Sequence, residues 1–91
     1  MYVNMAIENS SIQFPCSFPL KVMGLNNELF EPAVRAVFET FVGTGPITYA
    51  KQLSSGDKYV SITATFTAKS REQLDALYRA LNKHELVVMT L

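Results

Sequence analysis

The stretch Lys58-Tyr59-Val60-Ser61-Ile62-Thr63-Ala64-Thr65-Phe66-Thr67-Ala68 decides how the chain reads. Val60, Ile62, Ala64, Phe66 and Ala68 share one parity; Tyr59, Ser61, Thr63, Thr65 and Thr67 share the other. Strand side chains alternate between two faces, so this is a strand with one apolar and one hydroxyl-bearing face. Its β-branched content suits a pleated, half-buried surface. An apolar face must be covered, and the remaining sequence supplies the cover.

Upstream, Ser54-Ser55-Gly56-Asp57 reads as a turn and Ile47 to Leu53 as a partner strand. A two-residue loop at Ser55-Gly56 sets Tyr49 opposite Ile62. A loop centred on Gly56-Asp57 keeps the same faces. Either way Ile47 and Tyr49 point to the core, and Thr48, Ala50 and Gln52 join the hydroxyl face. Before this strand, Phe30, Ala33, Val34, Val37, Phe38 and Phe41 form an apolar stripe at helical spacing, predicting a helix from about Glu28 to Val42. Arg35 and Glu39 are expected to pair on its exposed side. Asn27 is the expected N-cap, and Gly43-Thr44-Gly45-Pro46 stops the helix. Pro32 is compatible only with the first turn, so the start lies near it. The first strand is expected over Phe18 to Gly24, with Pro19 at its beginning.

Downstream, Ser70 and Gln73 have the spacing of a capping box. Leu74, Leu77, Tyr78 and Leu81 give a second helical stripe, Asn82 a stop, and Leu86 to Leu91 a last strand. Residues 1–13 read as a polar N-terminal arm, and residues 14–91 as a single α+β domain. The order is β-α-β-β-α-β, which predicts a ferredoxin-like sandwich: two helices on one face of a four-stranded antiparallel sheet. Strand order 4-1-3-2 would place Lys58 to Ala68 at the centre.

Composition narrows the function classes. In 91 residues the 8 basic and 8 acidic side chains cancel, whereas a chain that neutralises many phosphates needs a basic excess. Nucleic acid is therefore not an expected partner. The hydroxyl face also lacks the aromatic pair on which RNA-binding sheets stack bases. Cys16 is the single cysteine and cannot form an intrachain disulfide. No cation precedes Lys21, no C-x-x-C or His/Cys cluster has metal spacing, and no apolar run approaches a membrane span. The expectation is a cytoplasmic protein without metal or cofactor. His84 stands alone and reads as a solvated or capping residue after a helix. No Ser/His/Asp set or carboxylate pair can be assembled by spacing, so catalysis is not expected.

Two places invite a binding function. Met23-Gly24-Leu25-Asn26-Asn27 joins a strand to a helix N-terminus, whose free N–H groups and dipole favour a carboxylate. The same residues also suit a plain strand end and helix cap. The second place is the hydroxyl face: Lys21, Tyr59, Ser61, Thr63, Thr65 and Val88. It is either a solvated face or a surface for a partner, a homodimer included.

Three stretches carry a family resemblance: Phe14-Pro15-x-x-Phe18 with Lys21-Val22-Met23-Gly24; Ser54-Ser55-x-x-x-Tyr59-x-Ser61-Ile62-Thr63; and Gln73-Leu74-x-x-Leu77-Tyr78-x-x-Leu81 with Val87-x-Met89-x-Leu91. Together they resemble the YbeD-like family of small bacterial proteins of unknown function, from about residue 12 to the end. The resemblance implies a ferredoxin-like, ACT-like fold and a cytoplasmic bacterial protein. The family's label as a lipoic-acid-binding regulatory protein implies a regulatory or ligand-sensing role with a small carboxylate metabolite, an amino acid or lipoate. It brings no catalytic residues. The alternative is a protein-interaction module using the open sheet face or an edge strand.

Overall fold

The computed structural model describes residues 12–91. Most of the expected polar arm lies outside the described residues. The elements are β1 (Cys16–Leu25), α1 (Phe30–Val42), β2 (Thr48–Leu53), β3 (Tyr59–Ala68), α2 (Arg71–Lys83) and β4 (Val87–Thr90). They form one antiparallel sheet in the order β2-β3-β1-β4, the predicted arrangement, with β3 and β1 in the centre.

The alternation in β3 does what its sequence predicts. Val60, Ile62, Ala64, Phe66 and Ala68 are buried towards the helices. Phe30, Val34, Phe38 and Val42 of α1 and Leu74, Leu77 and Leu81 of α2 complete one core with Leu20 and Val22. Phe38 is fully buried and meets Phe66 at a 5.8 Å ring separation. Tyr49 lies opposite Ala64, so the hairpin adopts the register centred on Gly56-Asp57 rather than the one that pairs Tyr49 with Ile62. Gly56 has φ 82°, Asp57 has φ 58°, and Ser54 brackets the turn by bonding Tyr59 through both its backbone and its hydroxyl.

Several boundaries differ from expectation for identifiable reasons. Helix α1 starts at Phe30, not Glu28, which places Pro32 in the first turn, where its missing N–H costs nothing. Asn27 stands outside the helix. Its side-chain oxygen accepts from Leu29 N at 2.7 Å and its carbonyl from Phe30 N at 2.9 Å. Phe41 is 37% exposed because the stripe rotates off the core by the last turn, and Val42 is buried in its place. Arg35 pairs with Glu31, not Glu39, at 3.2 Å; an acid one turn N-terminal to its cation is the better helical orientation. Lys51 of β2 joins the same carboxylate at 3.3 Å.

Pro19 sits inside β1 rather than at its start. Lys21 exchanges both backbone bonds with Leu91, so its N–H points towards β4. Two residues earlier, the nitrogen of Pro19 faces the same side, beyond the last pairing with β4. It therefore breaks no ladder bond there. Ser70 caps α2 by accepting from Gln73 N at 3.1 Å. Gln73 reaches back to Lys69 N rather than Ser70 N, and donates to the Phe41 carbonyl at 3.0 Å, tying the end of α1 to the start of α2. The helix runs past Asn82 to Lys83, and His84 follows as the C-cap, its Nδ1 accepting from Leu86 N.

Candidate functional site

The helices cover one face of the sheet and leave the other open. Register assigns Lys21, Met23 and Leu25 of β1 to the open face, across from Thr63, Ser61 and Tyr59 of β3. Thr48, Ala50 and Gln52 of β2 lie across from Thr65, Thr63 and Ser61. On the other flank a register shift between Met23 and Gly24 leaves Val88 unpaired, 56% exposed at the irregularity. Met89 pairs with Met23 and Leu91 bonds to Lys21, so these two residues line the open face on that flank. The bulge explains why strand parity alone selected Val88: one extra residue exchanges the faces.

Within this face a depression of about 180 Å³ is lined by Lys21, Met23, Gln52, Tyr59 and Ser61, among others. It draws members from both predicted sets. Ser61 is only 8% exposed, and its hydroxyl donates weakly to the Gln52 carbonyl at 3.5 Å. Lys58 extends over the Tyr59 ring, 5.6 Å from its centroid. Lys21 has no carboxylate partner within ion-pair distance among the described residues. No Asp or Glu side chain belongs to the paired positions of this face. A partly covered ammonium on a face whose paired positions carry no acidic side chain favours anions, and the methionine and leucine beside it favour an aliphatic body.

The other predicted place, Met23 to Asn27, is spent on the fold. The position where a β-carbon would stand on Gly24 is filled by the Phe30 ring and the Leu86 carbonyl. Asn26 donates its amide to Asp57 O at 2.9 Å and its backbone N–H to Lys58 O at 2.9 Å. Asn27 is committed to Leu29 and Phe30. At the helix N-terminus Pro32 has no N–H and Glu31 supplies a carboxylate of its own. Hydrogen bonds from Lys51 and then Arg35 hold the Glu31 carboxyl below its ordinary range. An incoming carboxylate would meet that charge. Only Met23 and the exposed Leu25 of this set face the open sheet.

Among the described residues no group of three or more His, Cys, Asp or Glu could hold a metal ion, and no helix is long and apolar enough to cross a membrane.

The family model for proteins of unknown function, DUF493, matches residues 9–91. The chain belongs to this family, the YbeD-like group that the three sequence stretches resemble. A UPF0250 protein of Nitrosomonas europaea is 40% identical over 85 residues, covering 92% of this chain and 98% of that protein. A UPF0250 protein of Bordetella pertussis is 40% identical over 89 residues, covering 97% and 98%. Among solved structures, protein HP0495 from Helicobacter pylori superposes with a TM-score of 0.71 at 16% identity, covering 89% of this chain and 86% of that one. The ACT domain of a GTP pyrophosphokinase from Chlorobium tepidum gives 0.62 at 17% identity, covering 82% and 84%. At such identities the likeness is one of fold: this chain and the ACT domain share the βαββαβ sandwich.

Proposed function

We propose that this DUF493 protein is a regulatory or ligand-sensing module of the ACT type that works by binding, not by catalysis. Its ligand is a small aliphatic carboxylate, lipoate being the compound the family label suggests. The observation that supports this is the open sheet face: one ammonium, Lys21, stands beside Met23, Met89 and Leu91 on a surface whose paired positions carry no acidic side chain. The ligand's carboxylate meets Lys21 and the Ser61 hydroxyl, and its chain lies along the methionines. On this reading the site is the sheet face rather than the loop after β1, where Phe30 and Glu31 occupy the space and the charge.

The test is the thermal midpoint titrated with lipoate, octanoate and, as the uncharged control, lipoamide. A ligand that binds only the folded state raises the midpoint with concentration. Lipoate should raise it, lipoamide should not, and Lys21→Gln should abolish the rise. A flat response to all three rejects the reading. It would favour a protein partner on the same face, for which Leu25, Met89 and Leu91, at 47%, 45% and 56% exposure, supply an apolar rim.

A further inference from the structure

Charge is segregated across the sheet. None of the four strands carries an acidic residue. Among the described residues Glu31, Glu39, Glu72 and Asp75 stand on the helices, and Glu28, Asp57 and Glu85 in loops. Two lysines belong to the open face: Lys21 on β1, and Lys58, whose ammonium lies over the Tyr59 ring. Neither has a carboxylate partner among the described residues. Lys51 of β2, by contrast, is bound to Glu31 on the helix side. The open face is therefore positive in a chain whose charges cancel overall.

An apolar strip runs between the two lysines. Met23 and Leu25 follow Lys21 on β1, and Met89 and Leu91 flank them on β4. Leu25, Met89 and Leu91 are all exposed. The Lys58 carbonyl accepts from Asn26 N, so Lys58 stands level with Asn26, beyond the far end of the strip from Lys21. At the rise of a strand, Lys21 and Asn26 are about 16 Å apart.

Physical chemistry narrows what can cover such a strip. An extended segment laid on the face would find the backbone groups of β1 and β3 already paired and would leave its own unpaired. A helix satisfies its own backbone and needs only side-chain contacts. A second copy of this chain would set one lysine face, without acids, against another, like charge on like. We propose that the open face docks an amphipathic, acidic helix of another protein. Its apolar residues lie on Met23, Leu25, Met89 and Leu91, and two of its carboxylates meet Lys21 and Lys58. A span of about 16 Å is about 11 helical residues, or three turns, which puts both acids on one side of that helix. The small carboxylate proposed for this face uses the same ammonium, Lys21, so ligand and helix exclude each other. The docking stands on the charges and the strip; the exclusion rests on the carboxylate reading.

Fluorescence anisotropy of the full chain with a labelled helical peptide tests it. The peptide has about 18 residues, two glutamates about 11 apart, and leucines at helical spacing between them. The control peptide carries lysines in place of the glutamates. The acidic peptide should bind in a saturable way, tighter than the control by on the order of tenfold or more. Lys21→Gln and Lys58→Gln should each weaken it by roughly two- to fivefold, the scale of an exposed ion pair. Leu91→Ser should weaken it too, and Arg79→Gln, on the helix side, should not. Amide shifts should centre on Lys21, Leu25, Tyr59 and Met89, and lipoate should displace the peptide. If the peptide binds while lipoate neither raises the thermal midpoint nor displaces it, the carboxylate reading alone fails. If lipoate raises the midpoint and the peptide does not bind, the docking proposal alone fails. Lipoate that raises the midpoint without displacing the peptide overturns the exclusion. The docking is also overturned if the control peptide binds as tightly, if both lysine variants bind with unchanged affinity, or if the shifts centre on the edge of β2, which would mean strand addition.

Discussion

The ring of Phe30 occupies the space in which any residue other than glycine at position 24 would carry its β-carbon. The backbone carbonyl of Leu86 closes the same space from the side of β4. Gly24 lies where β1 bulges against β4 and where α1 begins, so this contact locks three elements together. It also closes the close approach that a glycine at a strand end otherwise offers a ligand.

Gly24→Ala should therefore destabilise the protein through overpacking, by about 1–3 kcal/mol. The backbone angle at Gly24 is not left-handed, so the cost is steric. Phe30→Leu in the same chain should recover part of it, because the aromatic edge is one of the two obstacles. A double-mutant cycle by urea unfolding measures this as a favourable coupling. Additive losses would mean that the carbonyl of Leu86 is the whole obstacle.

Phe38→Ala should cost about 3–5 kcal/mol by the same measurement. The side chain is fully buried and touches Phe66 and Tyr49 across the sheet. A loss below about 1 kcal/mol would require that the core collapse around the deletion without penalty.

What the sequence made legible is what periodicity encodes. Residue parity in β3 and the stripes through Val34, Phe38, Leu77 and Leu81 fixed the faces, and the faces fixed the sandwich. The three stretches ending in Val87-x-Met89-x-Leu91 led to the same fold and to the family. What stayed hidden depends on partners distant in sequence. Asn26 looks free in a linear reading, yet Asp57, 31 positions beyond it, takes its amide. Arg35 has an acid one turn away on either side and pairs with Glu31, whose second cation, Lys51, comes from β2, 20 positions away in sequence. The bulge at Val88 leaves no signal in alternation, so Met89 and Leu91 joined the open face unannounced.

Ser70→Ala should lower stability by about 1 kcal/mol, the usual cost of a lost N-cap. Gln73→Ala should lose more than an ordinary surface substitution. Its amide oxygen accepts from Lys69 N and its amide nitrogen bridges to Phe41 O on the other helix. Hydrogen exchange should show faster opening at the start of α2 in both variants. Only Gln73→Ala should also loosen the last turn of α1.

Stability should fall on the alkaline side of the ordinary tyrosine pKa of 10.0, and two residues should account for most of the fall. Burial raises the Tyr78 phenol, and burial followed by the Glu39 charge raises that of Tyr49. In the unfolded chain both titrate near their ordinary value, whereas in the folded protein they hold their protons longer. Above pH 10 the unfolded state therefore binds fewer protons than the folded one, and unfolding free energy decreases as pH rises. The contribution is complete below pH 10 and is lost as pH climbs through the raised folded values. Tyr49→Phe and Tyr78→Phe, measured by urea unfolding from pH 8 to pH 11, should each flatten this decline, and the double variant should nearly remove it. Tyr78→Phe should also cost a little at neutral pH, because its hydroxyl donates to the Leu91 carbonyl at 3.4 Å. Tyr49→Phe should cost nothing there, because its hydroxyl has no such partner among the described residues. An alkaline decline unchanged in the double variant would assign it to other groups.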